Sequence, residues 1–137
     1  SSTAKELRMR SYPHNSPEAA ARVLAMALVA DGQYTMTELR AFDRHQMPTR
    51  LGLTPEALKT VIDDFCRDLL QAQDGQWTGQ VDDTTRERLT AEITDRDLQD
   101  LILQQCEQLI LADGHLADGE VALLDALSAA WRRPVLL

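Results

Sequence analysis

At 137 residues, with 44% hydrophobic and 26% charged residues, the chain is long enough for one domain with its own core and too apolar for a disordered segment. Its 22 acidic residues against 14 basic ones leave a net charge of −8, and the densest basic cluster is the pair Arg132-Arg133, so nucleic acid is excluded as an expected partner. Aromatics at 4%, set against plentiful Ala and Leu, exclude a sheet-dominated fold, because strands favour aromatic and β-branched residues.

Residues 1–15 carry mixed charge without a period and are expected to form an arm, loose or briefly helical, ahead of a domain over 16–137. Ser16-Pro17-Glu18 is a helix start: Ser caps, Pro suits the first helical position, and Glu favours the positive end of the helix. Val23 to Ala30 is apolar throughout, which predicts a helix buried on all sides at the centre of the domain, ending at Asp31-Gly32. Thr35-Met36-Thr37-Glu38 matches a capping box and predicts a second helix to about Gln46, broken by Pro48 and Gly52.

Thr54-Pro55-Glu56 opens another helix, with Leu58, Val61, Ile62, Phe65 and Leu69 inward and Lys59, Asp63, Asp64, Arg67 and Asp68 on the solvent side. Residues 73–83 read as the longest loop, with Trp77 lying over the core. Asp82 or Asp83 then caps a short helix bearing Leu89 and Ile93 on one face. Thr94 or Asp95 opens a longer helix with Leu98, Leu101, Ile102, Cys106, Leu109 and Ile110 inward, ending at Asp113-Gly114. The last helix carries Val121, Leu124, Leu127 and Trp131 inward and stops at Pro134. No strict alternation long enough for a strand occurs. The expected fold is all-α, a single-domain bundle of about six or seven helices.

Cys66 and Cys106 stand 40 positions apart in apolar helical stretches, where buried reduced thiols of a cytoplasmic protein are the default reading and a single disulfide is the alternative. No apolar run reaches the roughly 18 residues of a membrane span, and the first residues show no signal region. His14, His45 and His115 have no zinc spacing with one another or with the cysteines. Nucleophile motifs, phosphate loops and dinucleotide fingerprints are all lacking, so an enzyme is not expected.

The informative feature is a repeat. Leu28-Val29-Ala30-Asp31-Gly32 aligns with Ile110-Leu111-Ala112-Asp113-Gly114 at an offset of 82 residues, and at the same offset Glu38 falls on Glu120, Asp43 on Asp125, Leu39 on Val121 and Phe42 on Leu124. The halves span about 17–73 and 84–131. A true calcium EF-hand is excluded, because its two earlier ligand positions would be Ala27 and Val29 in one copy and Leu109 and Leu111 in the other.

These duplicated residues resemble the TerB-like, or tellurite-resistance, family, whose pattern is an apolar helix, then Ala-Asp-Gly, then an acidic residue at a helix start, given twice. The resemblance implies a bacterial all-helical bundle with a pseudo-two-fold relation between halves, linked to tellurite and other chemical stress. It also implies Asp31, Glu38, Asp113 and Glu120 as ligands of a divalent cation, Ca or Mg. Positions that often hold further acids in the family are here Gln33, Thr37, His115 and Gly119, with Asp118 compensating in part.

Hard cations need several oxygen donors, and two facing hairpins would bring four carboxylates. The same four residues also have a plain structural reading as caps and turns. The expected function is therefore a non-enzymatic acidic binding module with an unknown protein partner and a divalent cation at the Asp-Gly hairpins. The alternative is a purely structural interaction or assembly domain, a homodimer included, with no metal.

Overall fold

The computed structural model describes residues 9–29, 47–72, 81–112 and 118–132, and among these every regular element is helical, as the composition predicts. We label them α1 (Pro17–Val29), α2 (Met47–Leu51), α3 (Pro55–Ala72), α4 (Asp83–Ala91), α5 (Arg96–Ala112) and α6 (Asp118–Trp131). The expected helix from Thr35 to Gln46, the loop with Trp77 and both Asp-Gly turns lie outside the described residues, as do the Leu109 and Ile110 side chains.

Four helix starts have a local chemical cause. Ser16 Oγ accepts from the Ala19 N–H at 3.1 Å, and Thr54 Oγ1 accepts from Ala57 at 3.1 Å. Asp82 accepts from Thr85 at 2.7 Å, and Asp95 from Leu98 at 2.9 Å. Each bond satisfies one of the free N–H groups at a helix start, a contribution of about 1 kcal/mol. Asp82 and Asp95 are thus the caps where the sequence allowed two choices each.

Helix α1 is the hub and packs against all five others. From Ala19 to Val29 every residue is buried, and Val23, Leu24 and Leu28 are wholly inaccessible. Its run of alanines keeps the helix thin, so several neighbours approach at once. Each large apolar side chain buried there stabilises by roughly 1.5–3 kcal/mol relative to exposure. Around it α3 contributes Leu58, Val61, Ile62, Phe65 and Leu69, α5 contributes Ile102 and Cys106, and α6 contributes Leu124, Leu127 and Trp131.

The stretch ending at Pro48 differs from expectation. Met47–Leu51 is itself a short helix, with Pro48 in the first turn, where a missing N–H breaks no helical bond. Gly52 ends it at φ +86°, the left-handed conformation suited to glycine.

Arg22 is the exception within α1. It is fully buried, and Nη2 donates to Glu92 Oε1 at 2.6 Å while Nη1 donates to the Arg10 carbonyl. The Tyr12 ring lies 4.5 Å from the guanidinium carbon, a cation–π contact. Arg22 Nε has no hydrogen-bond partner, so the compensation is incomplete.

Residues 9–15 are tied into the domain. Met9 is buried, and Arg10 forms a forked ion pair with Asp68 at 2.8 and 3.0 Å, plus a contact to Asp64 at 3.0 Å. Arg88 Nη2 donates to the Met9 carbonyl and to Ser11 Oγ. Asn15, in the left-handed conformation that asparagine tolerates, accepts from the Thr94 and Asp95 N–H groups at 2.7 and 2.9 Å. This strap corrects the expected solvent side of α3: Asp68 is only 2% exposed because Arg10 covers it.

Breaking the buried pair tests how far the strap and hub depend on each other. Arg22→Met leaves the Glu92 carboxylate buried without its partner, and we expect a loss of about 3–5 kcal/mol in denaturant unfolding. Arg22→Met/Glu92→Leu should recover most of that loss. A single variant as stable as the native chain would contradict the assignment.

Candidate functional site

The residues implied as cation ligands divide unevenly. Asp31, Glu38 and Asp113 lie outside the described residues. Glu120 is described: it is the third residue of α6, 4% exposed, and engaged in an interaction of its own. A carboxylate can be buried there because the helix N-terminus carries partial positive charge, and a cation would compensate it further.

Helices α5 and α6 pack together and are joined by residues 113–117, so the last turns of α5 and the first turn of α6 belong to one end of the pair. Gln108, one turn before the end of α5, has an Oε1 that is buried without a hydrogen-bond partner. Gln105, one turn further back, is fully buried, and among the described residues neither its Oε1 nor its Nε2 has a partner. Buried amides are normally paired, so these orphaned groups mark the segment leading into Asp113 as under-satisfied. An amide oxygen is also a hard donor of the kind Ca and Mg accept, and in that chemical sense the donor set fits such an ion. The sequence reading missed both glutamines, because a polar residue on an amphipathic helix reads as surface until its neighbours are known.

The remaining candidates resolve more simply. Among the described residues no group of three or more His, Cys, Asp or Glu side chains is placed to hold a metal. His14 is exposed, and His45 and His115 lie outside the described residues. Asp64, expected to be a solvated acid, pairs with Arg10 at 3.0 Å and Arg67 at 3.7 Å. Among the described residues no helix is long and apolar enough to cross a membrane.

Both cysteines are free, Cys66 half-buried and Cys106 fully buried. Burial pushes the Cys106 thiol up to about 12, with Glu107 adding to the shift. Burial, then Asp63, raises Cys66 as well.

Among the described residues the fold is an all-helical bundle centred on a hydrophobic hub, as a TerB domain is helical. The family model described as tellurite resistance protein TerB matches residues 17–131, most of the chain, and the chain belongs to that family. No curated protein and no solved structure matches it.

The cysteines give a check on packing. Because the thiolate is the reactive form, Cys66 should react slowly with a thiol reagent at pH 8, and Cys106 only after denaturation. A thiol held at about 12 in the fold and near 8.5 when unfolded leaves stability intact below about pH 8.5. The contribution is then lost as pH rises toward 12, at up to ~1.4 kcal/mol per pH unit. Cys106→Ala should flatten that alkaline slope in denaturant melts; equal slopes would place the thiol in a wetter site.

Proposed function

We propose that this TerB-family chain is a non-enzymatic acidic binding module that takes a divalent cation, Ca or Mg, at its two Asp-Gly hairpins through Asp31, Glu38, Asp113 and Glu120. The observation that carries the reading is Glu120: a carboxylate 4% exposed, just past the second hairpin, beside a helix whose last turns hold orphaned amide groups. Support also comes from the repeat, since a family match across residues 17–131 includes both Asp-Gly-x5-Glu units.

The chemistry is that of a hard-cation site. Carboxylates would neutralise the ion, and carbonyl oxygens at the helix ends and water would complete its shell. A bound ion would link the end of one helix in each hairpin to the start of the next, setting the face offered to a protein partner. Bacterial origin, a cytoplasmic setting and a part in tellurite or related stress belong to the same proposal and rest on the family.

A purely structural assembly domain remains the competing reading, and a homodimer would need a broad apolar face. Among the described residues Leu70, 41% exposed, is the large hydrophobic side chain presented to solvent. That single side chain lends assembly little support.

The test is calorimetric titration of chelator-stripped protein with Ca, Mg, Mn and Zn, repeated on Asp31→Asn/Asp113→Asn. The expected result is saturable binding that weakens at least tenfold in the double variant. At a free ion concentration 100 times Kd, the native chain should gain about 2.7 kcal/mol of stability. No heat with any ion, together with an unchanged melting temperature, would reduce the four acids to caps and turns.

A further inference from the structure

At the opposite end of α5 lies an open groove of about 720 Å³, where the C-terminal ends of α4 and α6 meet the start of α5. That volume falls within the range of ligand pockets, roughly 300–1,000 Å³. Its floor is apolar, with Ile93 and Trp131, and Arg86, Arg96 and Arg132 line it with Glu87 as the acid among them. In a chain of net charge −8, the lining of this groove holds three guanidiniums against the single carboxylate of Glu87, with Asp83 pairing Arg86 from outside it.

Gln99 adds a second, independent observation. Its Nε2 donates to the Ile93 carbonyl at 3.0 Å, which fixes the orientation of the amide. Its Oε1 is then an acceptor with no hydrogen-bond partner on a residue only 6% exposed that lines the groove. The other walls are already set. Trp131 Nε1 donates to the Thr90 carbonyl at 3.4 Å, and Arg96 Nη1 donates to the Trp131 carbonyl at 3.1 Å, closing α6 onto α4 and α5. Among the described residues Arg86 pairs with Asp83 at 2.9 Å, an i,i+3 contact whose acid is solvent-exposed and which an incoming carboxylate can displace. Arg132 ends α6 at φ +55°, an uncommon conformation for arginine, and its side chain lines the groove.

We propose that this groove docks an acidic, extended segment of a partner protein. Guanidinium forks match carboxylates in bidentate pairs. The peptide N–H of the same segment supplies the donor that Gln99 Oε1 lacks, and the apolar floor takes an intervening side chain. Inorganic phosphate would meet the arginines and bring an O–H to Gln99, but it has no apolar side chain for the floor. That asymmetry selects a peptide over a bare oxyanion.

The experiment presents a randomised octapeptide library to the full chain at physiological salt, then titrates the most enriched peptide by amide NMR, with inorganic phosphate in parallel. The expected result is a pool enriched in Asp and Glu, with shifts centred on Thr94, Gln99 and Arg132. Arg86→Gln/Arg132→Asn, at a partly exposed and an exposed position, should weaken binding at least tenfold with an unchanged melting temperature. A basic pool, which the net charge alone would select, overturns the proposal. So does a pool with no enrichment, acidic peptides that shift residues elsewhere, or affinity that survives in the double variant. Phosphate producing the same shifts at equal affinity also overturns it, in favour of an oxyanion site.

Discussion

Arg22 lies in a helix that otherwise sends only apolar side chains into the core from Ala19 to Val29. Its charge therefore dictates what must surround it. A desolvated guanidinium is tolerable only with matched charge and acceptors. Here they come from two stretches of the chain: the Glu92 carboxylate at 2.6 Å on one side, and on the other the strap, through the Arg10 carbonyl and the face of Tyr12. Meeting that requirement draws the strap of residues 9–15 over α3 and α4 and fixes the turn between α4 and α5. The Asn15 N–H donates to the Glu92 carbonyl at 2.8 Å, so the carboxylate's own backbone is held from the same strap. A hydrophobic residue at position 22 could fill the space but would specify none of these neighbours.

This geometry assigns different work to the two ends of α5. The helix has 17 residues and so spans about 25 Å. Its start, capped by Asp95 and braced by Asn15, forms one wall of the arginine-lined groove. Its last turns carry the orphaned glutamine amides and lead into Asp113. An ion at the hairpin end and a peptide at the groove end would act on one rigid rod packed against the hub. The chain's acidity is also less uniform than its net charge implies: Asp64 and Asp68 are consumed by Arg10, whereas Arg86, Arg96 and Arg132 gather on the groove.

What the sequence made legible was local. The caps at Ser16 and Thr54 were readable because donor and acceptor lie within three residues of one another. The buried centre was readable because the run from Val23 onward leaves α1 apolar on every side there. The family was legible through the Asp-Gly repeat, whose members keep one offset. What escaped was long-range: Arg22 meets Glu92 across 70 residues, and Arg10 meets Asp68 across 58. Asp68 lies three residues after Phe65, at the border of the apolar face, where helical period alone cannot separate solvent from a covering strap. Gln99, Gln105 and Gln108 escaped for the same reason. Of the four carboxylates implied as ligands, only Glu120 falls in the described residues, so the family resemblance still carries the other three.

Whether both hairpins hold one ion is read most directly by substoichiometric Mn added to the isotope-labelled native chain, through paramagnetic broadening of amide signals. The account predicts that Leu28 to Gly32 and Ala112 to Glu120 broaden together, before the exposed acids at Asp63 and Asp82-Asp83. Broadening that begins at those surface acids, or at one hairpin without the other, would contradict it.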